Sequence, residues 1–288
     1  MSLYRFDDVD DLLGPVLVAA FEGWVDAGAA STTAATQLAE GGRIAARFAA
    51  DRLFDYRARR PTLEIVDGRP ATLAWPELAL RRTRLGERDL LVLAGPEPDF
   101  RWRELCAAAA EIATRLGVVE WISLGAIPAA VPHTRPVPVM GTESRPGLLR
   151  GDVRPGPEGV LRVPAAVISV LEVAVSATGI PAVGYYAQVP HYLTGPYPAA
   201  AIELLRAVGR HLGHDVPLGS LPNDARQLRV RLDAATAVDE ATRTHVERLE
   251  ATIDEARRPS GDDLIGEIER FLRERGGEEG RRDERRRD

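Results

Sequence analysis

Short, continuous apolar runs that alternate with helical segments constrain the fold of this chain more than any other feature. Runs of this length without polar alternation are typical of strands buried on both faces, as in a parallel sheet. Each run is followed along the chain by a segment with helical periodicity and end signals. The four runs cover residues 15–21, 89–94, 118–125 and 181–189. The predicted helices lie at about 26–41, 99–116, 164–178 and 198–212.

This alternation predicts a mostly parallel, doubly wound α/β sheet. Further strands are predicted at 43–50, 62–66 and 78–84, and we expect the last two to pair antiparallel.

The composition changes after Pro217, and this change suggests how the chain is divided. A charged segment with apolar residues at helical spacing follows, and a capping box at 260–263 predicts another helix. The last thirteen residues contain no apolar side chain, which is typical of disorder. We therefore expect an α/β core domain over 1–216, a helical extension over 217–275 and a disordered charged tail over 276–288.

The basic residues and the cysteine exclude several classes of enzyme. All 37 basic residues are Arg, so a Walker A loop, a Schiff-base lysine and a pyridoxal lysine are excluded. Cys106 is the single cysteine, which excludes an intrachain disulfide and a Cys-rich zinc site. Because the first turn also lacks a GxGxxG pattern, we expect no cofactor.

Charge and hydropathy limit the partners and the location of the protein. The net charge is −6, which does not favour nucleic acid or an anionic membrane. No stretch approaches the roughly 18 apolar residues that span a bilayer, and no signal peptide pattern is present. We expect a cytoplasmic protein that binds neither nucleic acid nor membrane.

Polar side chains follow each of the four predicted strands. Because the carboxyl ends of parallel strands meet at one edge of a sheet, we expect these side chains to face one another. No HExxH pattern or His pair at helical spacing is present, so we expect no metal. The candidate catalytic residues are Glu22, Asp26, His133 and His191. The candidate ligand-binding residues are Trp24, Asp26, Glu97, Asp99, Arg135 and Tyr192.

These candidates permit two interpretations. In the first, Asp26 or Glu22 is a general base and a histidine donates a proton, while Arg135 binds an anionic group and an aromatic ring stacks on the ligand. In the second, the residues are structural: Asp26 caps the following helix, and the histidines, each next to a proline, brace their loops.

Four segments of the sequence together resemble the PAC2 family, the proteasome assembly chaperone 2-like proteins, in its actinobacterial branch. The first segment reads Phe-Glu-Gly-Trp-Val-Asp-Ala-Gly over residues 21–28. The others cover residues 125–136, 189–198 and 259–272, so that the resemblance extends over about residues 10–275. The segments occur in the family's order and follow the predicted strand ends.

The resemblance implies a phosphorylase/nucleosidase-like α/β sandwich that oligomerises. Eukaryotic and archaeal relatives bind proteasome subunits, some through a C-terminal hydrophobic-Tyr-X motif that residues 286–288 do not match. We therefore expect a homo-oligomeric, non-enzymatic assembly or protein-interaction factor, with proteasome-related subunits as candidate partners. The alternative is a hydrolase or binding protein for a nucleoside-like small molecule, with its site at the carboxyl ends of the strands.

Overall fold

The computed structural model describes residues 2–256, with the exception of 8, 10 and 158. The chain divides into two compact units, Met1–Val238 and Asp239–Asp288. The predicted capping box at 260–263, the helix after it and the tail at 276–288 lie outside the described residues.

The described residues of the first unit form ten strands and six α-helices, and those of the second unit form one further helix. The strands are β1 (Tyr4–Phe6), β2 (Val16–Glu22), β3 (Arg43–Phe48), β4 (Thr62–Val66), β5 (Arg69–Ala74), β6 (Ala79–Leu85), β7 (Arg88–Pro96), β8 (Glu120–Ala129), β9 (Val139–Glu143) and β10 (Ala182–Pro190). The helices are α1 (Ala30–Leu38), α2 (Ala50–Leu53), α3 (Trp102–Arg115), α4 (Val167–Ser176), α5 (Pro198–Leu212), α6 (Leu221–Val238) and α7 (Glu240–Ala256).

Eight strands form one sheet in the order β1-β3-β6-β7-β2-β8-β10-β9. The four predicted apolar runs are its central strands β7, β2, β8 and β10, and all three of their pairings are parallel. The outer pairings are antiparallel, so β3 points the same way as the central strands and β1, β6 and β9 point the opposite way. The prediction of a mostly parallel α/β sheet is confirmed.

Both faces of the central strands are buried, which explains why their sequences do not alternate with polar residues. Along β2, Leu17, Ala19 and Phe21 face a core shared with α3 and α4. Val16, Val18 and Ala20 face the other core, which is shared with α1 and α5. The central strands are therefore covered by helices on both sides.

The prediction that 62–66 pairs with the strand near 78–84 is wrong. Instead β4 pairs with β5 in a separate hairpin, and β6 joins the main sheet between β3 and β7. The hairpin turn is Asp67-Gly68, and both residues have positive φ (49° and 75°). This is the backbone that Asp-Gly favours in a two-residue hairpin turn.

A buried ion pair connects β7 to β6 and to the segment before β2. Asp89 is 1% exposed, and its carboxylate accepts hydrogen bonds from Nε of Arg82 at 2.8 Å and from the Leu13 amide at 2.8 Å. Burial by itself raises the pKa of the Asp89 carboxyl. The hydrogen bonds from Arg82 and Leu13, together with the charge of Arg82, outweigh burial and lower that pKa.

We predict that Asp89→Asn lowers the free energy of unfolding at pH 7 by about 2 kcal/mol, because it removes the negative charge that pairs with Arg82 and one of the two acceptor oxygens. The folded-state pKa of Asp89 lies below the unfolded value of about 3.9. The stabilisation is therefore complete above the unfolded value and is lost as the pH falls through the folded value. Urea denaturation of both proteins between pH 7 and pH 3 checks this. If the two proteins differ in their free energy of unfolding by the same amount at pH 7 and at pH 3, the prediction is wrong.

Candidate functional site

The four central strands end side by side, and we call this the carboxyl edge of the sheet. β7 ends at Pro96, β2 at Glu22, β8 at Ala129 and β10 at Pro190. The turns that follow these strands carry the candidate residues, as the strand pattern predicts.

Glu97 holds two distant backbone segments at the carboxyl edge. Its Oε2 accepts a hydrogen bond from the Trp24 amide at 3.2 Å, and its Oε1 accepts one from the Val167 amide at 2.7 Å. Val167 is the first residue of α4, so the Glu97 carboxylate lies at the positive end of that helix. The Glu97 amide also donates to the Glu22 carbonyl at 2.8 Å. Glu97 thus fixes the turn after β2 against the start of α4.

The Asp26 carboxylate binds the first turn of α1, although the N-cap position of that helix is Ala29 and a 3-10 turn, Ala27–Ala29, lies between them. Its Oδ1 accepts hydrogen bonds from the Ser31 amide at 2.8 Å, the Ser31 hydroxyl at 2.6 Å and the Thr32 amide at 3.2 Å. Its Oδ2 accepts one from the Thr32 hydroxyl at 2.5 Å. Both carboxylate oxygens are therefore engaged at the N-terminus of the helix.

Two glycines allow the first turn to pass close to its neighbours. A Cβ on residue 23 would lie 2.6 Å from Oε2 of Glu97. Gly28 has φ +62°, and a Cβ there would lie 2.8 Å from the Cβ of Tyr197. The Tyr197 amide donates to the Gly28 carbonyl at 2.8 Å, which connects this turn to the start of α5. The glycines of the Phe21–Gly28 segment are thus required by packing.

His133, Tyr192 and His191 form a second group of candidates. His133 is 3% exposed; its amide donates to the Tyr192 hydroxyl at 2.8 Å, and its Nδ1 lies 2.7 Å from the same oxygen. The rings of His191 and Tyr192 meet edge to face, with centroids 5.6 Å apart. His191 Nδ1 lies 3.0 Å from the Ala129 carbonyl oxygen, at the end of β8. These contacts join the loops that follow β8 and β10.

Two residues of α6 complete the surroundings of His133. Its Nε2 lies 3.3 Å from Oδ1 of Asp233. Its carbonyl oxygen accepts a hydrogen bond from Nη1 of Arg229 at 2.9 Å. Neither α6 residue was among the candidates, because the sequence does not show which helix returns to the loop at 133.

The remaining candidates differ in their surroundings. The Asp99 carboxylate accepts a hydrogen bond from the Asp55 amide at 2.8 Å and lies 3.5 Å from Nε of Arg59, so it orders the loop after α2. Trp24 is 70% exposed and Glu22 is exposed. Arg135 lines a cavity of about 690 Å³ with residues of α5 and α6. Catalytic and ligand-binding roles for these residues stay predictions.

Glu172 of α4 is a further, partly buried carboxylate that was not among the candidates predicted from the sequence. Its Oε1 accepts a hydrogen bond from the Thr142 hydroxyl of β9 at 2.7 Å. Burial raises the pKa of Glu172, although hydrogen bonds from Thr142 and its neighbours counteract part of that rise. A sequence alone gives no sign of this contact, since Glu172 occupies an ordinary helical position.

The described residues contain no group of three or more His, Cys, Asp or Glu side chains that could hold a metal ion. Over residues 2–256, no helix has the length and apolar character needed to cross a bilayer.

We predict that Asp26→Ala lowers the free energy of unfolding by about 2 kcal/mol, at the upper end of the range for a lost helix cap. The substitution leaves two amides and two hydroxyls of Ser31 and Thr32 without their acceptor. Asp26→Asn keeps one acceptor oxygen, so its loss is expected to be smaller. Urea denaturation of the three proteins measures these differences; an Asp26→Ala protein as stable as wild type contradicts the prediction.

Comparisons with known proteins agree with the resemblance seen in the sequence. The PAC2 family profile matches residues 20–236. No curated protein matches the sequence. A Corynebacterium glutamicum protein of unknown function is 30% identical, with a TM-score of 0.81, over 88% of this chain and 98% of its own.

Two further structures connect the fold to named relatives. A Streptomyces avermitilis PAC2 family protein is 38% identical, with a TM-score of 0.72, over 81% of this chain and 99% of its own. A Mycobacterium tuberculosis proteasome-assembly chaperone homologue is 35% identical, with a TM-score of 0.73, over 80% of this chain and 99% of its own. The prediction from the four sequence segments is confirmed, and the chain belongs to the PAC2 family.

Proposed function

We propose that this protein is a non-enzymatic assembly factor that acts as a homo-oligomer and binds other proteins, proteasome subunits among them. The observation that carries the proposal is the engagement of the carboxylates at the carboxyl edge. All four carboxylate oxygens of Asp26 and Glu97 accept hydrogen bonds from the protein itself. Protonation of either group in a catalytic cycle would weaken the bonds that hold α1 or α4 in place.

Family membership supports a protein partner. The Mycobacterium tuberculosis relative, at 35% identity, is a homologue of proteasome-assembly chaperones. An assembly chaperone acts by binding subunits through its surface, so its function does not require a catalytic group. The hydrolysis of a nucleoside-like substrate stays a prediction.

The hairpin formed by β4 and β5 offers a surface for self-association. Every residue of both strands is exposed. Leu63 and Leu73 lie directly opposite each other and are 49% and 50% exposed, and Ile65 is 60% exposed. A two-stranded sheet with large exposed apolar side chains is marginal on its own and is typical of an interaction surface.

The occupant that we propose for this surface is the same hairpin of a second copy. In the part of the chain that the structure describes, β4 and β5 pair only with each other, so their outer edges can accept a further strand by backbone hydrogen bonds. Glu64 lies on β4 and Arg69 on β5, so the hairpin carries both signs of charge. The central apolar pair can pack against the same pair of a second copy across a two-fold axis, as a contact between identical chains requires.

We predict that light scattering at micromolar concentrations gives a mass that is a multiple of the 31.3 kDa chain. The double variant Leu63→Ser, Leu73→Ser is expected to shift the mass toward that of one chain without loss of folding, because both side chains are half exposed. Leu13→Ser, at a leucine that is 62% exposed outside the hairpin, is the matched control and keeps the wild-type mass. A single-chain mass for wild type contradicts self-association.

The same protein samples test whether proteasome subunits bind. Each is mixed with separately purified α and β subunits of an actinobacterial proteasome and examined by native mass spectrometry. We expect a complex between the wild-type protein and unassembled subunits. If no subunit binds, proteasome assembly is not the function, whatever the mass of the protein alone.

A further inference from the structure

A cavity of about 690 Å³ lies between the loop after β8 and the helices α5 and α6. This size is within the range of sites for small molecules. The cavity belongs entirely to the first unit, because all of its lining residues precede Asp239. Of the residues that line the cavity, only His133 and Arg135 are among the candidates predicted from the sequence.

Four arginines line this cavity, and we call it the arginine cavity. They come from three elements: Arg135 from the loop, Arg206 from α5, and Arg226 and Arg229 from α6. Glu203 is the one carboxylate among the described lining residues, and it lies 2.6 Å from Nη1 of Arg206. A guanidinium group is suited to an oxyanion, which it can hydrogen-bond in a planar fork.

The arginines differ in the hydrogen bonds and ion pairs that they form within the protein. Arg229 lies 2.8 Å from Oδ1 of Asp233 and donates to the His133 carbonyl, so it is held in position. Within the described part of the chain, Arg226 forms no hydrogen bond or ion pair, and it is exposed.

Tyr197 adds a neutral hydrogen-bond donor. The residue is 5% exposed and lines the cavity, and burial raises the pKa of its hydroxyl to about 12, partly countered by Arg229. The hydroxyl is therefore protonated at neutral pH. Among the described residues it has no hydrogen-bond partner, so it is available to a ligand.

The rest of the lining is largely apolar. This part suits a hydrocarbon chain or ring better than a fully polar ligand. The apolar lining residues include Val137, Ala199, Ile202, Ala225, Val230 and Leu232.

We propose that the arginine cavity binds a small amphipathic anion, a carboxylate or phosphate monoester that carries an apolar chain or ring. The oxyanion is held by Arg226 and its neighbouring arginines, with the Tyr197 hydroxyl as a further donor. The apolar part lies against the side chains of α5 and α6. This site goes beyond the assembly function and does not depend on it.

Isothermal titration calorimetry of the full chain with octyl phosphate tests the proposal, with octanoate as a second arm. We expect one molecule bound per chain, competition by the other anion, and at least tenfold weaker binding of 1-octanol, which has the same chain but no charge. The stronger of the two anions identifies the head group. If 1-octanol binds as tightly as octyl phosphate and octanoate, the proposal is overturned. The proposal is also overturned if neither anion binds.

A pair of matched variants locates the site. Arg226→Gln is expected to weaken binding of octyl phosphate about tenfold, equivalent to about 1.4 kcal/mol, through the loss of a charge-assisted hydrogen bond. Arg88→Gln, at an exposed arginine at the start of β7 that lines no part of the cavity, removes the same charge and leaves binding unchanged. Equal loss in both variants indicates attraction by net charge alone and overturns the site.

Both substitutions are at exposed positions, so folding is preserved and circular dichroism confirms it. The mass measured by light scattering is independent of this titration. If no anion binds, the assembly proposal is unaffected. If the protein does not self-associate, the ligand proposal is unaffected.

Discussion

Burial of β7, β2, β8 and β10 on both faces is the constraint on which the rest of the structure depends. The strands contact α3 and α4 on one side and α1 and α5 on the other. Apolar side chains therefore dominate both layers, where Ser123 of β8 is among the few buried polar residues that the structure describes, and most polar side chains of these segments lie where the strands end. Backbone that leaves a buried strand still needs hydrogen-bond partners. The carboxyl edge of the sheet is accordingly rich in carboxylates whether or not it performs any chemistry.

The carboxylates at this edge satisfy the backbone first. Asp26 accepts bonds from the first turn of α1, and Glu97 joins the Trp24 amide to the start of α4. In a sequence, carboxylates that act in catalysis and carboxylates that cap helices thus occur at the same positions after the strands. What distinguishes them is the identity of the hydrogen-bond donors, and here the donors are amides and hydroxyls of the protein itself. Within residues 2–256, the exposed hairpin and the arginine cavity are two surfaces available for function.

The sequence predicted the central strands well, because their continuous apolar runs follow directly from two-sided burial. It missed β9, which lies in a proline-rich region, and the Asp67-Gly68 turn, which was the available signal for the hairpin. In the site, the sequence placed Asp26 at the start of the helix, but its partners lie five and six residues further on, after a 3-10 turn, and not at the second and third residues that follow an N-cap. The contacts of Glu97 with Val167 and of Arg229 with His133 span 70 and 96 residues, and no local pattern reveals them.

Amide hydrogen exchange in Glu97→Ala tests most directly whether the carboxyl edge is structural. The Trp24 and Val167 amides are far apart in sequence but share the two oxygens of Glu97 as acceptors. If Glu97 holds these segments together, both amides lose protection in the variant, while amides in the middle of β2 keep theirs. Wild-type protection at both positions would contradict the account and return Glu97 to the candidates for ligand binding.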